Sequence, residues 1–145
     1  MSNSNRTETL VLIEVAGNTF GLRSESVRSV EMAGPTTPVP NTLPFVEGIT
    51  LTRGQFIPTV NLRTRLGFSS IPVDSRARVV VVHSRARTVG MLVDSSREFL
   101  FIPAEAIRPP GDSVASLSAR YVEGITSLGN RSVLVLNLDE VIQGV

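Results

Sequence analysis

Few side chains of this sequence could do chemistry. His83 is the only histidine and there is no cysteine, so the ligands that zinc prefers are almost absent. A Ser-His-Asp arrangement would have to use His83, and no serine lies in the Gly-x-Ser-x-Gly pattern of a nucleophile elbow. Because His83 directly follows the apolar run 79–82, it is typical of a residue at the end of a strand. The sequence therefore predicts neither a zinc site nor a serine nucleophile.

Paired carboxylates are the sharper enzymatic hypothesis. Aspartic proteases use two aspartates that share a proton, and Asp94-Ser95-Ser96 approaches their Asp-Ser/Thr-Gly turn. The glycine is missing, however, and the corresponding position in the first half of the chain is Glu25. Glu47 and Glu123 are also duplicated, but their equal placement favours a structural role beside the glycines that follow them. We expect no catalytic residue, no metal and no cofactor.

Composition limits the remaining functional classes, such as nucleic-acid and membrane binding. The chain has 145 residues, with 14 basic and 13 acidic side chains, and a net charge of +1 provides no strong attraction to nucleic acid or to a membrane. A β-barrel that binds single-stranded nucleic acid needs a basic groove and aromatic platforms. The arginines here are instead spread among acids, so this remains a remote alternative. Residues 1–9 are polar and lack a signal-peptide core, so we expect a disordered N-terminus, no direct membrane insertion and a cytoplasmic protein.

The sequence repeats the structural elements that would position any site. Residues 45–50, Phe-Val-Glu-Gly-Ile-Thr, return at 121–126 as Tyr-Val-Glu-Gly-Ile-Thr. Continued without a gap, 57–62 falls on 133–138, and both segments end in Asn-Leu. A repeat that keeps its register over an apolar–turn–apolar–helix unit predicts two copies of one structural module. What both copies share is expected to be fold, and what one has alone is a candidate for function.

Short β-branched runs separated by turn residues predict about ten strands and an all-β fold. Two equivalent sets with short turns predict two packed β-barrels, with short helical turns between strands. The expected first barrel lies mainly in 19–67 and the second mainly in 77–143, and the N-terminal strand is a candidate for exchange between them. Residues 68–76 form the predicted boundary loop, and a second loop is expected from Pro109 to about Ala119.

The two copies differ at the tip of their hairpin. The first reads Leu51-Thr52-Arg53-Gly54-Gln55-Phe56-Ile57-Pro58, and the second reads Ser127-Leu128-Gly129-Asn130-Arg131-Ser132-Val133-Leu134. An arginine followed by glycine at the tip, with a proline in the returning strand, therefore occurs only in the first copy. A turn arginine between apolar strands can anchor to a polar group of a partner, whereas the alternative is a surface arginine without consequence.

Several segments of the sequence resemble the CheW family of chemotaxis coupling proteins. The resemblance covers about 10–142 and rests on Phe45-Val46-Glu47-Gly48-Ile49, Arg53-Gly54, Ile57-Pro58-Thr59-Val60-Asn61-Leu62-Arg63, Val89-Gly90-Met91-Leu92-Val93-Asp94 and Ile107-Arg108-Pro109-Pro110. It implies a CheW-like domain over 10–143 with two five-stranded barrels around a shared apolar core. It also implies a non-catalytic scaffold that couples the cytoplasmic tips of chemoreceptors to the regulatory domain of a CheA-type histidine kinase. The alternative within the family is an adaptor of a non-flagellar pathway, such as pilus motility, biofilm formation or development.

The resemblance also implies a receptor-facing groove. Its predicted members are Val27, Val79 and Phe99 as apolar wall, Gly48 for close approach, and Arg53 with Gly54 as the polar anchor. The alternative for the three apolar residues is core packing. Kinase contacts are expected mainly on the second barrel, without assignment to residues. Family members often carry a glutamate two residues after the position of Val27, where this chain has Ser29. Either Glu31 replaces that acid as the partner of Arg53, or Arg53 is free for a partner protein.

Overall fold

The structure is a computed structural model that describes residues 6–111 and 119–145. Within these residues there are ten strands in two five-stranded sheets and two short α-helices. Sheet A holds β1 (Thr7–Val15), β2 (Asn18–Arg23), β8 (Ser95–Pro103), β9 (Val122–Leu128) and β10 (Arg131–Leu136). Sheet B holds β3 (Val27–Met32), β4 (Val46–Thr52), β5 (Gln55–Asn61), β6 (Arg78–Ser84) and β7 (Arg87–Val93). Helices α1 (Leu62–Arg65) and α2 (Leu138–Val141) follow β5 and β10.

The two sheets repeat one topology. Their strand orders are β8-β1-β2-β10-β9 and β3-β6-β7-β5-β4, so the duplicated hairpin is β4–β5 in sheet B and β9–β10 in sheet A. The parallel pairings match residue for residue, because Gly21 lies opposite Val135 and Gly90 lies opposite Thr59. The all-β class and the duplicated plan are confirmed.

The sheets group the residues differently from the predicted division into 19–67 and 77–143. Sheet A combines β1 and β2 with the three last strands, and sheet B spans β3 to β7. The chain crosses between the sheets after β2 and again after β7, so each sheet contains strands from both halves. The predicted disordered N-terminus overlaps β1, which begins at Thr7. Residues 112–118 of the predicted second loop lie outside the described residues, as do 1–5.

The sheets are not closed barrels, which corrects that part of the prediction. Over residues 6–111 and 119–145, no ladder joins β3 to β4 or β8 to β9. Each gap is spanned by one isolated bridge instead. Thr37 exchanges two backbone hydrogen bonds of 2.9 Å with Ile49, and Arg108 exchanges bonds of 2.9 and 2.8 Å with Ile125. Prolines at 35, 38, 40, 109 and 110 flank these bridges and cannot donate to a longer ladder.

One apolar core is shared by both sheets, as predicted. Residues of β1 and β2 such as Ile13 and Phe20 pack in one cluster with residues of β6 and β7 such as Val80 and Met91. Each sheet also has a smaller interior cluster on its other face, formed around Leu10 in sheet A and around Ile57, Val79 and Val81 in sheet B. Because successive side chains alternate between faces, the central strands are buried on both sides.

The short helices follow from the repeated Asn-Leu. Asn61 and Asn137 are the N-caps of α1 and α2, and each side-chain oxygen accepts a hydrogen bond from the third backbone amide that follows, at 3.4 Å. Gly67, with φ of +93°, lies just beyond α1 in the left-handed conformation that commonly ends a helix.

Arg65 of α1 joins the two copies of the repeat. Its guanidinium lies 4.1 Å from the ring centre of Phe45 and 5.1 Å from that of Tyr121, which are equivalent positions in the two copies. It also donates to the carbonyl oxygens of Val141 at 2.7 Å and Glu140 at 3.0 Å, at the end of α2. A single side chain thus stacks on both copies and caps the last helix.

Candidate partner-binding surface

The tip of the β4–β5 hairpin has the backbone that its sequence requires. Arg53 and Gly54 both have left-handed dihedral angles, with φ of 51° and 79°. This geometry suits a two-residue turn whose twist matches the strands, and glycine is favoured there. The Arg53 side chain is 76% exposed and donates from Nε to a Glu31 carboxylate oxygen at 3.1 Å. Glu31 of β3 therefore takes the place of the acid that the resemblance placed at Ser29.

The Arg53–Glu31 pair lies at the surface and spans the open edges of sheet B. The Ser29 hydroxyl, and after it the Arg53 guanidinium, hydrogen-bond to Glu31 and hold the pKa of its carboxyl below the ordinary value. An exposed pair of this kind contributes about 0 to 1 kcal/mol to stability. A partner protein can therefore compete for Arg53 at little cost to the fold.

Beside the turn lies an exposed apolar pair that sequence reasoning missed. Leu51 and Phe56 face each other across β4 and β5, and they are 60% and 66% exposed. The equivalent pair in the second hairpin is Ser127 opposite Ser132. The alternation of side chains along β5 could have revealed this pair. Because Ile57 packs in the interior cluster of sheet B, its neighbour Phe56 must point outward. We call Leu51, Arg53 and Phe56 the hairpin face.

The predicted wall residues Val27 and Val79 lie in other environments. Val79 is 2% exposed and packs inside the interior cluster of sheet B. Val27, at the start of β3, is half-buried against the shared core. The structure brings neither side chain out to the hairpin face, so packing accounts for their apolar character.

Gly48 is approached closely by the chain itself. It has φ of +146°, and a β-carbon added there would lie 2.2 Å from the carbonyl oxygen of Thr37. Thr37 is the residue that bridges to Ile49, directly after Gly48. The glycine is thus required where the segment after β3 crosses β4. Glu47, which forms the bulge before it, accepts a 2.6 Å hydrogen bond from the Asn61 side chain, consistent with the structural role expected for the duplicated glutamates.

Phe99 belongs to a different surface. It lies on β8, the edge strand of sheet A, and is 63% exposed next to Phe101, which is 69% exposed. The other five predicted site residues all lie in sheet B or its hairpin turn. Phe99 is therefore the one predicted site residue in sheet A, and we call its exposed strand surface with Phe101 the β8 face.

The groups that could do chemistry are occupied by structural contacts. The Nδ1 atom of His83 lies 2.9 Å from the hydroxyl oxygen of Thr88, and Asp94 is bonded to Arg63. In the described part of the chain, no three His, Asp or Glu side chains are grouped in a way that could hold a metal ion. None of the helices in residues 6–111 and 119–145 has the length and apolar character to cross a membrane.

Comparison with known proteins agrees with this architecture. The family model of the CheW-like domain matches residues 9–145. The chemotaxis protein CheW of Klebsiella aerogenes is 28% identical over 132 residues, which cover 90% of this chain and 80% of that protein. Protein FrzA of Myxococcus xanthus is 30% identical over 129 residues, covering 86% and 78%. The crystal structure of the scaffolding protein TtCheW from Thermoanaerobacter tengcongensis superposes with a TM-score of 0.87 at 26% identity, covering 95% of this chain and 94% of that one. The chain belongs to the CheW-like domain family and is a scaffold-type protein of chemotaxis signalling.

Proposed function

We propose that this protein is a non-catalytic adaptor that holds a chemoreceptor tip and the regulatory domain of a CheA-type histidine kinase at the same time. The observation that carries the proposal is the broken symmetry of the duplicated hairpin. Two copies with the same backbone plan differ in their outward pair, which is Leu51 with Phe56 in one and Ser127 with Ser132 in the other. Exposing a large aromatic side chain gives no folding benefit, so a binding role explains it.

The hairpin face suits the receptor. A receptor tip is a helical hairpin, and an amphipathic helix binds by laying apolar side chains against an apolar surface. Leu51 and Phe56 supply that surface, and Arg53 supplies a charged group at its border. Aromatic and arginine side chains carry much of the binding energy in protein interfaces. In this proposal the receptor's own carboxylate competes with Glu31 for Arg53.

The β8 face suits the kinase. Phe99 and Phe101 lie on sheet A, whereas the hairpin face belongs to sheet B, so two partners can bind without sharing residues. This proposal assigns Phe99 to the kinase-binding surface instead of the receptor-facing groove. It fits the expectation that kinase contacts lie mainly on the second barrel. The protein would then work in the cytoplasm at receptor arrays, where it transmits receptor state by the geometry of its contacts.

Substituting the hairpin face with its own counterpart tests the proposal. The double variant L51S/F56S gives the first hairpin the outward pair of the second. We expect its affinity for a soluble receptor cytoplasmic fragment, measured by calorimetry, to fall by about 10- to 100-fold, because losing an aromatic anchor costs about 2 kcal/mol or more. Its affinity for the kinase regulatory domain should stay within about twofold.

The matched control is S127A/S132A, which alters the equivalent pair in the second hairpin and should leave receptor binding unchanged. Urea unfolding of both variants should resemble that of the wild type, because the altered side chains are exposed. Unchanged receptor affinity in L51S/F56S would refute the assignment of this face.

A further inference from the structure

The chain passes between its two sheets at two equivalent crossovers. After β2 it enters β3 through a short turn, Ser24–Ser26, and after β7 it enters β8 through Asp94 alone. The duplication aligns Glu25 of the first crossover with Asp94 of the second, since Gly21 and Gly90 occupy the same place in the two sheets. Among the described strands, these crossovers are the two points where the chain connects one sheet to the other.

Asp94 is held from both sheets. Its backbone amide donates to the Glu14 carbonyl at 3.0 Å, and its carboxylate accepts from the Ala16 amide at 2.9 Å, both in the β1–β2 hairpin of sheet A. Arg63 of α1, which continues from sheet B, donates to both carboxylate oxygens, from Nε at 2.9 Å and from Nη2 at 2.7 Å. Arg63 is itself fixed to the carbonyl of Ser69 at 3.1 Å.

The first crossover has no such clamp. Glu25 is exposed, and within residues 6–111 and 119–145 its carboxylate makes no hydrogen bond or ion pair. A second connection between the sheets lies elsewhere. Asp139 of α2, which follows sheet A, accepts hydrogen bonds from Ser84 and Arg85 at the β6–β7 turn of sheet B. That connection is more open to solvent, with Asp139 37% and Arg85 74% exposed against 24% for Asp94 and 18% for Arg63.

We infer that Asp94 is a positioning residue that fixes the angle between the sheets and thereby couples the hairpin face to the β8 face. Packed apolar layers can slide by small amounts, whereas bidentate hydrogen bonds have a defined direction. Asp94 is also the residue directly before β8, so a change in its geometry reaches the β8 face through one strand. The coupling part of this inference depends on the proposed function, and the positioning part does not.

The ionised state of Asp94 supports this role. Burial by itself raises the pKa of the Asp94 carboxyl, but the hydrogen bonds from Arg63 and from the Ala16 amide outweigh burial, so the pKa lies below its ordinary value. The carboxylate is therefore charged at neutral pH and the clamp is engaged.

The positioning claim can be tested without any partner. Because the chain has no cysteine, spin labels can be attached at Arg28→Cys on β3 and Ser132→Cys on β10, both exposed and in different sheets. Electron–electron distance measurements should give one narrow distribution in the wild-type background. Asp94→Asn, which keeps the shape but loses the charge, should broaden or shift it, whereas the matched control Asp139→Asn should not. An unchanged distribution in Asp94→Asn would overturn the inference.

The coupling claim is tested by titrating each partner in the presence of the other. In the wild type, saturation with the kinase regulatory domain should change receptor-fragment affinity by about fivefold or more. In Asp94→Asn each partner alone should bind within about twofold of wild type. The effect of the kinase domain on receptor-fragment affinity, however, should disappear. Retained coupling in Asp94→Asn, or none in the wild type, would overturn it. If the wild type binds neither partner, the proposed function fails instead.

Should Asp94→Asn not fold, Arg63→Lys, which loses the bidentate contact, is measured in the same way with the same expectations.

Discussion

Replacing Gly48 by alanine is expected to destabilise the protein by about 4 kcal/mol. An alanine would have to adopt φ of +146° and place its β-carbon 2.2 Å from the Thr37 carbonyl oxygen and 2.7 Å from its carbon. The strained backbone costs about 1–3 kcal/mol, and overpacking costs about another 1–3 kcal/mol. The neighbouring atoms belong to the backbone, so they cannot move aside without breaking the bridge to Ile49. Urea unfolding followed by circular dichroism measures the loss.

The repeat supplies the control for this substitution. Gly124 is the equivalent glycine, but a β-carbon there would first meet the side-chain methyl Cγ2 of Ile107, at 2.6 Å, and its φ is not positive. Because Gly124→Ala avoids the positive-φ strain and its closest contact is a side-chain methyl instead of a backbone atom, it should cost only about 1–3 kcal/mol. Equal losses in the two variants would contradict this account of Gly48. The comparison also separates folding from binding, because receptor binding lost in Gly48→Ala would reflect a displaced Thr37 segment.

Removing the Arg65 side chain should cost about 3 kcal/mol. Arg65→Ala loses the contacts with the rings of Phe45 and Tyr121, each contributing about 0.5–2 kcal/mol. It also leaves the carbonyls of Val141 and Glu140 without a charged donor at the end of α2. Because these contacts connect the two copies of the repeat, unfolding should remain a single transition at a lower urea concentration.

Arg65→Lys is the informative companion variant. Lysine keeps the positive charge over the rings but lacks the planar fork that reaches two carbonyls at once. It should recover about half of the lost stability. A cost below about 0.5 kcal/mol for Arg65→Ala would contradict the role given to this side chain.

The repeat in the sequence predicted much of the fold. It identified the two equivalent hairpins and the short helical turn that follows each of them, and the structure shows that the repeated asparagines cap those helices. It could not predict that each sheet takes strands from both halves. That arrangement depends on the crossovers at Ser24–Ser26 and Asp94, whose geometry is set by long-range contacts such as that between Asp94 and Ala16. Barrel closure was wrong because prolines beside Thr37 and Arg108 limit each closing ladder to one bridge.

The candidate site was only partly visible in the sequence. Comparing the two copies of the repeat drew attention to Arg53 and Gly54. The structure shows that Arg53 pairs with Glu31. Val79 was ambiguous because β6 is buried on both faces, so its side chain could not be assigned to a surface from its type alone. Phe99 was assigned to the groove wall by resemblance alone, which did not indicate that it lies in sheet A while the other predicted residues lie in sheet B or its hairpin turn.

In the proposed function, one molecule of this adaptor holds two partners on separate faces. Sedimentation velocity of the wild-type protein with a receptor cytoplasmic fragment and a CheA-type regulatory domain tests it most directly. We expect a single faster-sedimenting species that contains all three proteins, formed in addition to both binary complexes. Mutually exclusive binding, in which adding one partner displaces the other, would contradict it.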